Sequence, residues 1–225
     1  PHFEPKAKRV IFLFMHGGPS QHDLFDPKPA LASLDGKPVP ESLIAGERFA
    51  FIKGVPKMLG PTHDFARYGR CGTEMGTLIP SIGAHADDLC LIRSMFTEQF
   101  NHAPAQLFLH TGSPRFGAAS MGAWATYGLG SENQDLPGYV VLVGGGNNPD
   151  AGKSLWGAGF LPSVFQGVQC RTQGDPVLYL TNPAGIDDAA RRRMLDDVAA
   201  LNQKSFDALG DPETQPILFR LRGDL

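Results

Sequence analysis

A short apolar run that leads straight into a glycine turn constrains this chain more than any other stretch. Residues 10–15, VIFLFM, are apolar throughout and are too few to cross a membrane. Such a run, bounded by polar residues, is typical of a strand buried on both faces of a parallel sheet. It ends in residues 16–19, HGGP, where the backbone can approach a ligand closely. Ligands of open α/β sheets bind beyond the carboxyl ends of the strands, so we expect the site here.

Further runs predict an alternation of strands and helices along the chain. The predicted strands cover residues 10–15, 49–52, 89–95, 139–143 and 176–180. The predicted helices cover residues 77–86, 102–111, 120–129 and 187–209, with Asn101, Ser120 and Asp187 as caps. Strands that alternate with helices indicate an α/β fold with a mainly parallel sheet covered on both faces.

Composition narrows the class of protein. The chain has 225 residues and a formal net charge of -3, which gives no reason to expect nucleic acid as a partner. No apolar run approaches the roughly 18 residues of a membrane-spanning helix. Cys71, Cys90 and Cys170 lie far apart and form neither a zinc-ligand set nor a disulfide framework, and Cys90 is predicted to be in the core. The opening residues contain neither Met nor an apolar signal core, so we expect a leader to have been removed or left out.

Four residues are candidates for a functional site. His16 after the first strand is either a metal ligand or a turn histidine, and Asp23 is either a ligand of a divalent ion or a turn or helix cap. His102 lies at a helix N-terminus, where an imidazole nitrogen can ligate metal, act as a general base or accept a phosphoryl group. Asn101 can orient an oxyanion, although capping is the commoner role.

His110 is predicted to be structural, and Arg93 to be either an ion-pair partner or an anion clamp.

Residues 80–112 resemble the segment of sulfatases that carries the nucleophile. The resemblance rests on a proline-led short helix, a strand, and then NHAPAQLFLHTG at 101–112. In that register His102 takes the place of the nucleophile, Gln106 replaces the motif arginine, and His16 replaces the first metal-binding aspartate.

Most of the chain resembles the bacterial family called domain of unknown function 1501, which is usually grouped with alkaline phosphatases and sulfatases. The segments that carry this resemblance are GGPSQHDLFDPKP at 17–29, DDLCLIRSM at 87–95, NHAPAQLFLHTG at 101–112, SMGAWATYGLGSENQDLPGYVVL at 120–142 and FLPSVFQG at 160–167. The resemblance implies an alkaline-phosphatase-like three-layer α/β/α sandwich with a mainly parallel central sheet. It also implies that residues 1–225 form a single domain, the N-terminal portion of a longer family domain truncated at its C-terminus.

The resemblance further implies a metal-dependent hydrolase of sulfate or phosphate esters. His16, Asp23 and His102 would ligate a divalent ion (Zn, Ca or Mg), and His102 and Asn101 would be catalytic. The substrate would be a small-molecule or polysaccharide ester, and the location exported or periplasmic. Superfamily members supply further Asp and His ligands from a C-terminal half, so part of the expected metal site lies outside this chain.

Two other functions remain open. One is a catalytically silent binding or cell-envelope module, because His102 stands where the nucleophile is expected. The other is a serine α/β-hydrolase, since HGGP resembles an oxyanion turn and Ala118-x-Ser120-x-Gly122 is the nearest match to a nucleophile elbow. No strand precedes Ser120 in the predicted order, which favours a helix cap over a nucleophile.

Overall fold

The computed structural model describes residues 2–4, 6–47, 49, 51–132, 136–144, 148–177 and 181–210. The chain divides into two compact units, Pro1–Phe96 and Thr97–Leu225, called here the first unit and the second unit. The prediction of one domain over residues 1–225 stays a prediction.

The first unit consists of short helices around one antiparallel hairpin. The hairpin pairs strand β1 (Phe65–Tyr68) with strand β2 (Thr73–Gly76) in the register Phe65↔Gly76 to Tyr68↔Thr73. Its elements in chain order are α1 (Gln21–Leu24), α2 (Pro29–Leu34), α3 (Glu41–Ile44), β1 (Phe65–Tyr68), β2 (Thr73–Gly76), α4 (Pro80–Gly83) and a 3-10 helix (Ala86–Asp88). Strand β2 lies against α1. The two approach so closely that a side chain at Gly76 would overlap the carbonyl oxygen of Asp23.

One carboxylate fastens the turn of this hairpin. Asp87 accepts hydrogen bonds from the backbone N–H groups of Arg70, at 3.0 Å, and Cys71, at 2.8 Å. These bonds hold the pKa of Asp87 at about 2, below its ordinary 3.8, because each donor favours the ionised carboxylate. The hairpin and the 3-10 helix are therefore tied together at neutral pH.

The second unit contains three longer helices and a two-stranded parallel sheet. Strand β3 (Val140–Leu142) pairs with strand β4 (Val168–Cys170) from Val140↔Val168 to Leu142↔Cys170. The elements are α5 (His102–Thr111), α6 (Met121–Leu129), β3 (Val140–Leu142), two 3-10 helices (Gly152–Trp156 and Ser163–Phe165), β4 (Val168–Cys170) and α7 (Asp188–Leu209). Its buried apolar side chains are Leu107, Ala119, Ala123, Ala151, Leu155, Trp156 and Ala158.

The helix ends follow from local sequence and confirm three of the predicted helices. Ser120 caps α6 by accepting from the Ala123 N–H, and Asp187 caps α7 by accepting from the Ala190 N–H. Gly112 and Gly210, with φ of 75° and 67°, end α5 and α7 in the left-handed conformation that glycine adopts without strain. The helix predicted over 77–86 is shorter, because only Pro80–Gly83 and the 3-10 turn that follows are helical.

The predicted three-layer α/β/α sandwich with a mainly parallel central sheet is wrong. In the described ranges the strands form two sheets of two strands each, one antiparallel and one parallel. Residues 10–15 and 89–95 are not strands; Ile11 is 85% exposed, and Cys90, predicted to be in the core, is exposed as well. An apolar run specifies a buried strand only where other strands pair with it, and hydropathy alone does not supply those partners.

The remaining strand predictions have mixed outcomes. The strand predicted over 139–143 is present as Val140–Leu142. The strands predicted over 49–52 and 176–180 fall partly outside the described residues, at positions 50 and 178–180, and their described residues are irregular. Among the helices that the structure describes, none is long and apolar enough to span a bilayer.

Candidate functional site

His16 lies in the glycine turn that the sequence indicated. Gly17 and Gly18 have φ of 81° and 68°, and the Gly18 N–H donates to the Met15 carbonyl at 3.3 Å. Both positive φ values favour glycine, so the turn depends on this dipeptide. The His16 imidazole is exposed. It is therefore accessible to a ligand, although the strand predicted to precede it is absent.

Asp23 belongs to α1 and is held by hydroxyl groups. The pKa of its carboxyl is lowered, first by a hydrogen bond from the Ser20 side chain and then by bonds from Thr62, with the nearby His63 adding a smaller effect. The Thr62 hydroxyl is 3.2 Å from Asp23 Oδ1. Asp23 is thus ionised at neutral pH, and His16 is not among its hydrogen-bonding partners.

Asn101 and His102 lie at the start of α5, as predicted. Asn101 is the N-cap residue with φ -92° and ψ 143°, but its side chain makes no capping hydrogen bond. Both side chains are exposed. The capping role expected of Asn101 is therefore not fulfilled by its side-chain amide.

Gln106, which stands where sulfatases have an arginine, is a structural residue. Its side chain is 3% exposed. The amide Nε2 donates to Asp150 Oδ2 at 2.7 Å, and Oε1 accepts from the Ala151 N–H at 3.1 Å. This pair of bonds ties α5 to the turn before the first 3-10 helix of the second unit. It satisfies a backbone N–H that is removed from water.

Replacing Gln106 with leucine is expected to destabilise the second unit by about 1–3 kcal/mol. Leucine is close to glutamine in size but leaves the buried Ala151 N–H without its acceptor and Asp150 without its donor. Urea unfolding followed by tryptophan fluorescence measures the change, since Trp124 and Trp156 both lie in the second unit.

The matched control is Gln203→Leu. Gln203 also donates to an aspartate, Asp207 Oδ1 at 2.8 Å, but on the exposed surface of α7. We expect its loss to cost less than about 0.5 kcal/mol. Equal losses for the two variants would contradict a buried structural role for Gln106.

His110 lies one turn after Gln106 in α5. Its Nδ1 is 2.9 Å from the Gln106 carbonyl oxygen, to which an N–H there would donate. Burial lowers the pKa of His110 below its ordinary 6.5, and the bond to Gln106 opposes this only in part. The neutral, half-buried ring agrees with the structural role that the sequence predicted.

Ser120 is placed for capping and not for nucleophilic attack. It is 1% exposed, and its hydroxyl accepts from the Ala123 N–H at 3.4 Å. The Ser120 side chain also forms a hydrogen bond with the side chain of Tyr139. Burial raises the pKa of Tyr139 above its ordinary value. A serine nucleophile has to meet its substrate, so this geometry does not support a serine α/β-hydrolase.

The four candidate residues fall in different units. His16 and Asp23 lie in the first unit, and Asn101 and His102 lie in the second. Over the described part of the chain, no group of three or more His, Cys, Asp or Glu side chains is arranged to hold a metal ion. A shared metal site made by His16, Asp23 and His102 therefore stays a prediction.

Comparison with known proteins identifies the family. A family model described as "Protein of unknown function (DUF1501)" matches residues 7–218. The chain belongs to the DUF1501 family. No curated protein and no solved structure matches it. Membership of DUF1501 confirms the family resemblance, while the grouping with alkaline phosphatases and sulfatases stays a prediction.

Sequence reasoning missed several partners of the candidate residues. Thr62 and His63 approach Asp23 from 39 and 40 positions away along the chain, and Asp150 approaches Gln106 from 44 positions away. These pairings join segments without a shared local pattern, so the spacing of residues along the DUF1501 sequence did not indicate them. A polar residue on the apolar side of a helix, as Gln106 is, was the only available sign that a buried partner exists.

Proposed function

We propose that this DUF1501 protein hydrolyses sulfate or phosphate esters with the help of a divalent metal ion. The observation that carries the proposal is the start of α5. His102 is the first residue of a ten-residue helix, in the register where the sulfatase-like segment has its nucleophile. Its imidazole is exposed, and the neighbouring Asn101 side-chain amide makes no capping hydrogen bond. An anionic ester group is favoured at such a helix N-terminus by the unpaired N–H groups and the helix dipole.

The donor types fit a divalent cation. Asp23 provides an ionised carboxylate, and His16 and His102 provide exposed imidazoles; these donor types suit zinc and, less well, calcium or magnesium. When bound, such an ion polarises the ester oxygen and stabilises charge that develops on the transferred group. In this proposal His102 lies beside the reacting atom, where one of its ring nitrogens would bind the ion, and the Asn101 amide would donate to an oxygen of the ester.

The substrate and location belong to the same proposal. Either a small-molecule ester or a polysaccharide ester is compatible with an exposed helix start. Export to the periplasm is implied by the family resemblance.

The test is hydrolysis of 4-nitrophenyl sulfate and 4-nitrophenyl phosphate by the full chain. We expect release of nitrophenol that is abolished by EDTA and restored when zinc, calcium or magnesium is added back. Release that is unaffected by EDTA would contradict metal dependence. The absence of release with every metal and both esters would contradict the proposed hydrolase.

A second candidate is a catalytically silent binding or cell-envelope module. It is favoured by the lack of a three-ligand group over the described part of the chain and by histidine at the nucleophile position. Such a module would bind metal or phosphate without turning over either ester. Binding and turnover measured on the same sample therefore separate the two functions.

A further inference from the structure

An open cleft lies in the first unit, outside the residues proposed for hydrolysis. It is bounded by the β1–β2 hairpin on one side and by the irregular segment after the 3-10 helix on the other. Its volume is about 430 Å³, which is within the range of small-molecule sites. The side chains that define its chemistry are Arg67, Thr73, Glu74, Leu89, Leu91 and Arg93.

The two arginines give this cleft a positive charge. Arg67 Nε is 3.7 Å from Glu74 Oε1, a long contact between side chains that are 78% and 47% exposed, so the pair is weak. Arg93 Nη2 donates to the backbone carbonyl of Glu74 at 3.3 Å, an acceptor without formal charge. Two guanidinium groups therefore face one carboxylate in the lining.

Arg93 also has an acidic neighbour outside the cleft. Its charge contributes to the lowered pKa of Asp26, but as the smallest of the causes. Asp26 is already paired with Lys28, at 2.7 Å. The guanidinium of Arg93 thus keeps most of its capacity to bind an anion that enters the cleft.

Two leucines supply an apolar wall beside these charges. Leu89 is 42% exposed and Leu91 is half-buried. An exposed leucine beside a cation favours a ligand that has both an acidic head group and an apolar body. The head group then contacts the cation, and the apolar body is removed from water against the leucine. A purely inorganic anion would leave the two leucines without a contact.

We infer that this cleft binds a small amphiphilic anion. A carboxylate, sulfonate, sulfate or phosphate head group lies between Arg67 and Arg93, and an aryl or alkyl group lies against Leu89 and Leu91. Arginine suits this role because its planar fork of N–H donors matches the oxygens of such groups. The cleft shares no lining residue with the proposed metal site, and the binding requires no metal.

Isothermal titration calorimetry of the full chain with benzenesulfonate tests the inference. Benzenesulfonate has no ester bond, and EDTA in the buffer removes metal-dependent binding of anions, so failure here is distinct from failure of the proposed hydrolase. We expect saturable binding at one site, weaker binding of inorganic sulfate, and no binding of benzyl alcohol. Benzyl alcohol that binds as tightly as benzenesulfonate would overturn the assignment of an anion site.

Two substitutions locate the site. Arg67→Gln and Arg93→Gln are each expected to weaken benzenesulfonate binding by about tenfold, since each removes a charge-assisted hydrogen bond. Arg67 is highly exposed, so its variant keeps the fold even if Arg93→Gln disturbs the hairpin, which circular dichroism detects. Arg193→Gln, on the exposed surface of α7, is the matched control and should bind as the parent does. Unchanged affinity in Arg67→Gln, or no saturable binding to the parent, would overturn the inference.

Discussion

Alanine at position 102 is expected to lower kcat/KM for 4-nitrophenyl sulfate or phosphate by about 10²–10⁴. His102 is the first residue of α5, and its exposed imidazole is the group that the proposal places at the reacting atom. Removing it deletes a base, nucleophile or metal ligand while leaving the helix hydrogen bonds in place. Initial rates at saturating metal, measured over a range of ester concentrations, give the loss.

His85→Ala is the matched control for this loss. His85 is likewise exposed, at 73%, and its Nδ1 makes a long contact of 4.0 Å with Asp88 Oδ2. Its variant should hydrolyse the esters at the parent rate. Asn101→Ala should lose less than His102→Ala, because an amide that donates to oxygen stabilises charge without transferring a proton. A His102→Ala variant with the parent rate would remove the residue from the mechanism.

Alanine at position 159 is expected to cost the second unit about 2–5 kcal/mol of unfolding free energy. Gly159 has φ of +60°, where an L side chain is strained, and an added Cβ would overlap the backbone of Ala118 and Ala119. Ala119 is fully buried and leads into the cap of α6. Relief of the overlap therefore has to move the start of that helix. Urea unfolding followed by tryptophan fluorescence measures the loss.

Gly157→Ala provides the comparison within the same turn. Gly157 has φ of -72°, and the nearest atoms to an added Cβ are 3.7 Å away, an ordinary contact. Its substitution should change the unfolding free energy by less than about 1 kcal/mol. If both glycine variants lost the same amount, the close approach of Gly159 to residues 118 and 119 would be contradicted.

The parts of the fold that sequence predicted are the ones set by neighbouring residues. Ser120 and Asp187 reach only three residues forward to cap α6 and α7, and Gly112 and Gly210 end helices through their own backbone freedom. The prediction of a central sheet was wrong because strand pairing joins segments that are distant along the chain. The apolar run at 10–15 predicted a buried strand, yet Val10 and Leu13 are more than 80% exposed in the structure.

The same division applies to the candidate residues. His102 lies at a helix start as predicted, although the Asn101 side chain makes no capping bond there, and the turn at His16 follows from two glycines. Ser20 is a near neighbour of Asp23, but the bonds that join Asp23 to Thr62 and Gln106 to Asp150 span about forty residues of chain and were not predictable from spacing. The cleft between Arg67 and Arg93 likewise required the hairpin to be known first.

Metal content is the measurement that tests the proposed hydrolase most directly. The full chain, its His102→Ala variant and the His85→Ala control are each equilibrated with zinc, calcium or magnesium, and the bound metal is determined by mass spectrometry and calorimetry. The proposal predicts stoichiometric binding of one of these ions, with affinity reduced at least about tenfold in His102→Ala and unchanged in His85→Ala. A parent chain that binds none of these ions stoichiometrically, or a His102→Ala variant with the parent affinity, would contradict it.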